Sequence, residues 1–307
     1  MYYLKDVNDM EKLTFKAKDG KTIHYRVWQA ENEKGLLQIS HGMAESPVRY
    51  DEFAKFMAQN GYTVFADDHR AHGDTDNCSG YSDGDIYSLT LSDMAELNAV
   101  MRAKHPDKRL VFFGHSYGSF LTQGFLEEHG DLADGFIIGG SAYMSGVEVI
   151  GGDMIASLNC FLGKKKKPAK LLADMSFGKY NKRYNDGTNF ISSLPEECER
   201  YLANKECGFV LSYNFYKYMF KAFKRLYKKT NYSKIDVDKP VMIISGKEDP
   251  VGGYGKYTQK LYDFYKNTVG LKDLSLKFYE NVRHEYLNDI SREEAQKDIL
   301  GFCERIC

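Results

Sequence analysis

The sequence predicts an α/β protein with a mostly parallel, eight-stranded sheet, helices on both faces and one helical insertion. Three observations predict it. Short apolar runs of strand length alternate with helix-length segments from Gly35 onward, as in a parallel sheet buried on both faces. Two earlier strand-like runs are separated by Asp19-Gly20, a two-residue hairpin signal, so an antiparallel pair leads into the sheet. Between Ser141 and Lys234 the alternation stops, and it resumes at Pro240.

Along the chain, strands are expected at Leu13–Ala17, Thr22–Trp28, Gly35–Ser40, Tyr62–Ala66, Arg109–Gly114, Gly135–Gly139, Val241–Ser245 and Leu274–Tyr279. Helices are expected at Val48–Asn60, Leu91–Lys104, Tyr117–Glu128, Tyr254–Lys266 and Arg292–Cys303. Within them Asp51–Gln59 and Asp93–Ala103 space their apolar residues by three and four, which puts those residues on one helix face. The expected organisation is a core of residues 1–140 and 235–307, interrupted by a helical insertion over 141–234.

Composition narrows the class. The chain has 307 residues, with 42 Lys+Arg against 43 Asp+Glu, 43% hydrophobic and 28% charged residues. Such a balance argues against a nucleic-acid binder and against a disordered chain. No run approaches the roughly 20 apolar residues of a membrane span. The start, Met1-Tyr2-Tyr3-Leu4-Lys5-Asp6, is too charged for the apolar segment of a signal peptide, so a cytoplasmic location is expected. The six cysteines form no Cys-x-x-Cys pair, and no histidine stands at zinc-finger spacing from them. Reduced thiols and no metal are expected.

Chemistry is concentrated at Val111-Phe112-Phe113-Gly114-His115-Ser116-Tyr117-Gly118. An apolar strand runs into Gly-x-Ser-x-Gly and a helix follows, the setting in which a sharp turn lifts a serine hydroxyl clear of the sheet. Helix N-terminal N–H groups there favour developing negative charge. Such a serine needs a base, and the base needs an acid that orients it. In this setting the acid follows a late strand and the histidine comes after it. Val241–Ser245 leads to Asp249, and the strand ending at Tyr279 leads to His284, so Ser116, Asp249 and His284 are the candidate catalytic residues. Glu248 is the competing acid. His115 flanks the serine and shapes its surroundings, while His41 and His72 sit in His-Gly turns suited to bonding backbone. Two N–H donors should face the oxyanion: Tyr117, directly after the serine, and Met43, in the Ile39-Ser40-His41-Gly42-Met43 loop.

Together these residues resemble an α/β-hydrolase of the monoacylglycerol lipase, lysophospholipase and serine-aminopeptidase-like group. The matching pieces are His41-Gly42-Met43-Ala44-Glu45 with Arg49-Tyr50, Asp68-His69-Arg70-Ala71-His72-Gly73, the Ser116 pentapeptide, Gly246-Lys247-Glu248-Asp249-Pro250 and the His284 loop. They occur in the family order. Ser46, Ala71 and Thr75 depart from the family's usual His, Gly and Ser, and none of them carries a catalytic group. The resemblance implies an α/β-hydrolase fold. It gives the same roles to Ser116, Asp249, His284, Met43 and Tyr117, and makes the insertion a cap over the serine.

In that cap, Tyr213–Lys229 reads as an amphipathic helix. Phe215, Met219, Phe220 and Phe223 are candidate substrate-binding residues on its apolar stripe, as an acyl-chain wall or as core packing. Lys217, Lys221, Lys224, Arg225 and Lys228 make the other face basic, a candidate contact with an anionic membrane surface or simply a solvated face. The Lys164–Lys167 run reads as a solvated loop. Residues 160–234 hold 17 Lys+Arg against 6 Asp+Glu, so overall neutrality is the cancellation of a basic insertion by an acidic body.

The expected activity is hydrolysis of an acyl ester such as a monoacylglycerol or lysophospholipid through an acyl-enzyme, without a cofactor. A small aryl ester, a thioester or an N-terminal amino acid are alternatives with the same triad. Glu196, Glu197 and Glu199 are candidates to hold an amine in the last case. A ligand-binding protein of the same fold without turnover is the alternative of another class.

Overall fold

The computed structural model describes residues 10–184 and 187–307. The first residues, on which the signal-peptide expectation rests, lie outside them. Eight strands, β1 (Glu11–Lys16), β2 (Thr22–Trp28), β3 (Gly35–Ser40), β4 (Tyr62–Asp67), β5 (Leu110–His115), β6 (Gly135–Gly139), β7 (Val241–Gly246) and β8 (Leu274–Tyr279), form one sheet. Their order is β1-β2-β4-β3-β5-β6-β7-β8. β2 pairs antiparallel with β1 and β4, and every later pair is parallel.

Alternation along β5 shows how the sheet is covered. Leu110 and Phe112 face one core with the Ile86–Lys104 and Tyr117–His129 helices. Val111 and Phe113 face another with the Asp51–Gln59 and Arg292–Ile306 helices. Both faces are dry, which is why the central strands read as unbroken apolar runs.

Three of the departures from the expected boundaries have clear local reasons. The loop between β1 and β2 is longer than a two-residue turn: Ala17 N–H donates to Lys21 O (2.9 Å), and Gly20 takes φ +84°. Such a loop needs a left-handed residue before the second strand, and glycine supplies it. The helix expected from Leu91 begins at Ile86, because Asp85 caps it by accepting from Ser88 N–H (3.1 Å). The helix expected over 213–229 spans Tyr213–Phe223, capped by Ser212. After it the chain turns, and Leu226 stays buried outside the helix.

Among the described residues between β6 and β7 the longer helices are Val147–Asn159, Pro195–Ala203 and Tyr213–Phe223. Tyr213–Phe223 lies on the core through Phe215 against Tyr117 (ring centroids 4.8 Å) and Phe223 against Phe120 (4.5 Å). Val147–Asn159 packs on it in turn. A Cβ at Gly152 would stand 2.4 Å from the Phe220 ring, so only glycine lets the two helices approach this closely.

Candidate active site

Order in the sheet fixes the location. From β3 the chain goes outward to β4 and then crosses back to β5 on the other side, so the loops leaving β3 and β5 diverge. The crevice at such a switch point, at the carboxyl ends of the strands, is where open α/β sheets hold ligands. Ser116 stands there. It ends β5 with φ 54° and ψ −122°, a strained conformation for a residue with a side chain. Its N–H donates to Gly139 O on β6 (3.0 Å).

The flanking glycines are dictated by packing. A Cβ at Gly114 would lie 2.0 Å from Thr122 Oγ1, and one at Gly118 would lie 1.9 Å from Ser40 O at the end of β3. Strand, turn and helix are therefore locked against β3, with the Tyr117–His129 N-terminus directed at the crevice. On the β3 side, a Cβ at Gly42 would approach Ser116 Cβ to 3.2 Å, so the His41–Ala44 loop lies against the serine. The N–H groups of Met43 and Tyr117 have no hydrogen-bond partner among the described residues.

Asp249 and His284 form a buried pair, with Nδ1 and Oδ2 2.9 Å apart. Asp249 also accepts from Val251 N–H through Oδ1 (2.8 Å) and from the Ser245 hydroxyl through Oδ2 (3.4 Å). With Nδ1–H committed to the carboxylate, Nε2 is left as the basic nitrogen. Burial alone would lower the His284 pKa, but the Asp249 charge and hydrogen bond outweigh it and hold the imidazole above its usual 6.5. The ring sits 4.7 Å from that of His115, the residue before Ser116, so β8's loop reaches the serine turn. Glu248 does not take the acid's position; its backbone joins Val282 and Tyr184 instead.

His41 and His72 bond backbone, whereas His69 bonds the Ser40 and Asp67 side chains. His72 Nε2 accepts from Ala44 N–H (3.0 Å), and His41 Nε2 accepts from His69 N–H (3.1 Å). Burial and the neighbouring His69 hold the His72 pKa down at about 3, opposed by the Arg70 carbonyl, so it stays a neutral acceptor. Of the candidate substrate residues, Phe215, Met219 and Phe223 are buried in the core shared with the Tyr117 helix, and Phe220 meets Gly152. No cluster of groups suited to a metal occurs among the described residues.

Two supports carried no role in the sequence reading. Glu45 is buried and accepts from both Gly42 N–H and the Tyr50 hydroxyl (2.7 Å), which ties down the loop that presents Met43. Burial and the nearby Glu285 charge push its carboxyl up to about 7. Arg49 pairs with Glu285 beside it. Arg283 donates to the carbonyls of Asn189 (2.8 Å) and Ser192 (3.0 Å) and covers the Tyr184 ring, which clamps the insertion to the His284 loop. Glu45→Ala is expected to lower kcat about 10- to 100-fold with KM little changed, as a displaced oxyanion donor would. Steady-state kinetics checks this, and an unchanged kcat would separate Glu45 from that loop's function.

Comparison with known proteins gives the family and the fold. The family model described as "Serine aminopeptidase, S33" matches residues 31–291. A monoglyceride lipase of Rattus norvegicus is 30% identical over 106 residues, 34% of this chain and 34% of that protein. An uncharacterised abhydrolase domain-containing protein of Dictyostelium discoideum is 24% identical over 300 residues, 94% of this chain. The chain spans about a third or less of the length of these two relatives, 34% and 28%. Among solved structures, a carboxyl esterase from Bacillus coagulans in complex with glycerol superposes with TM-score 0.87 at 24% identity, covering 97% of this chain and 98% of that one. A soluble variant of monoglyceride lipase from Saccharomyces cerevisiae in complex with a substrate analogue has TM-score 0.74 at 18% identity, covering 99% and 97%. These structures share the fold, as does an epoxide hydrolase from Vigna radiata with TM-score 0.65 at 17% identity, covering 96% and 98%. Fold alone therefore leaves the reaction to the residues at the turn.

Proposed function

The chain belongs to the serine aminopeptidase, S33, family of α/β-hydrolases, and from that premise we propose that it is a serine carboxylic-ester hydrolase working through an acyl-enzyme. The observation that carries this reading is a strained Ser116 at the switch point, with a buried Asp249–His284 pair brought to the same turn. Ser116 Oγ attacks the ester carbonyl while His284 Nε2 takes its proton. Asp249 holds the tautomer and stabilises the imidazolium. The Met43 and Tyr117 N–H groups receive the negative oxygen. His284 returns the proton to the leaving alcohol, and water repeats the sequence on the acyl-enzyme.

The substrate we propose is an acyl ester of glycerol or a lysophospholipid, on the strength of relatives named monoglyceride lipase. The segment between β6 and β7 acts as its cap in this reading, with the Phe215–Phe223 face forming the acyl wall once it parts from the core. Peptide cleavage is less well supported, since buried Glu197 is already engaged by Arg292 and Arg200 and is not available to an amine. Glu196 and Glu199 point to solvent. Six free thiols support a reducing, cytoplasmic location, and no helix among the described residues is long and apolar enough to cross a membrane.

An acyl-chain series over glycerol, lysophospholipid and aryl esters, with Ser116→Ala as blank, tests the substrate class. Monoacylglycerols should give the highest kcat/KM, rising with chain length. A preference for the shortest aryl esters, falling as the chain grows, would overturn the lipid assignment.

A further inference from the structure

An amphipathic helix on a protein surface normally buries its apolar stripe and shows a polar face. Val147–Asn159 breaks that rule. Val149, Gly152, Asp153 and Ala156 are buried on its inner side. Yet Val147, Ile150, Met154 and Leu158, and Phe161 in the turn beyond, recur at intervals of three and four on the opposite side. They are exposed, Val147 at 83%, Met154 at 67% and Phe161 at 87%. Leu162, Leu171 and Met175 extend the apolar surface. A contiguous apolar face of this kind on a folded chain marks a contact.

Charge says with what. The face runs directly into Lys164-Lys165-Lys166-Lys167, with Lys170 just after, and all five are exposed. Asp153, on the inner side, is neutralised by Lys224. The helix has 13 residues, too few to cross a bilayer but suited to lying in its interface. A second copy fits poorly, because a two-fold contact would bring the same lysine-bordered patch against itself. We propose that this face and its lysine run seat the protein on an anionic lipid surface. The contact thus falls on a different element from the Tyr213–Phe223 helix, whose apolar stripe lies against the core. It goes beyond the esterase reading and does not depend on it.

The test is flotation of the full chain with phosphatidylcholine vesicles, with and without phosphatidylglycerol, in the absence of any ester turnover. Wild type should float with the phosphatidylglycerol vesicles, and less so as salt rises. Met154→Ser with Phe161→Ser should weaken partitioning by about tenfold or more. Replacing Lys164, Lys165, Lys166 and Lys167 together by Gln should remove the dependence on phosphatidylglycerol. Because these side chains are exposed, thermal unfolding and hydrolysis of a water-soluble ester should match wild type in both variants, which separates lost docking from lost folding. Absence of flotation, flotation unchanged by the double variant, or a dimer in sedimentation that the double variant dissociates would overturn the proposal. Failure of the hydrolase reading would show instead as Ser116→Ala retaining turnover, with flotation unaffected.

Discussion

Ser116→Ala is expected to lower kcat for a soluble aryl ester by a factor of about 10⁵–10⁶ and to abolish labelling by a fluorophosphonate. The size follows from the position. In the proposed mechanism the attacking oxygen is that of Ser116, held just after β5 at φ 54°, and the Met43 and Tyr117 N–H groups receive the negative charge. Alanine keeps the Cβ, so the strain at φ 54° and the packing of Gly114 and Gly118 are the same in both proteins. Thermal unfolding should therefore coincide with wild type, and the loss can be read as chemistry. A variant that still turns over or still labels would move the nucleophile elsewhere.

Asp249→Asn is expected to reduce kcat/KM at neutral pH by about 10⁴-fold. The side chain's shape survives, but an amide can donate to Nδ1 and so favour the wrong tautomer. The pH profile carries a second signature. His284 must be neutral to accept the serine proton, so activity rises with pH as its imidazolium loses a proton. With Asp249 in place that pKa is raised, so the acid limb is expected above the usual histidine range. Without the carboxylate's charge and hydrogen bond, burial disfavours the cation and only the Glu285 and Glu45 charges oppose it, so the limb should shift to lower pH. An acid limb that stays in place would mean that the Asp249–His284 pair does not govern the reaction.

The fold was largely legible because its determinants are local. The strands β3 to β7 carry apolar runs, β1, β2 and β8 alternate apolar and polar residues, and Gly114 and Gly118 announce a turn that tolerates no side chain. The pairing of Asp249 with His284 could be read from order along the chain. Other features depend on distant partners. Glu45, Arg49 and Glu285 meet across the whole chain, and no spacing rule brings residues 236 positions apart together. Arg283 gains its role only when Tyr184, Asn189 and Ser192 lie over the His284 loop. The Val147–Asn159 helix misleads in the opposite way. Its apolar residues surround the axis, as in a buried helix, and only the tertiary structure reveals that one side is uncovered. Tyr213–Phe223 shows the same limit, since its periodicity continues to Tyr227 although the helix stops at Phe223.

In the proposed mechanism acyl transfer passes through Ser116. The most direct measurement is intact-mass and peptide analysis after reaction with a p-nitrophenyl carbamate, whose carbamoyl-enzyme is slow to hydrolyse. Release of one p-nitrophenolate per chain is expected, with one carbamoyl group on the peptide bearing Ser116. Sustained p-nitrophenolate release with no adduct, or an adduct on any other residue, would contradict it.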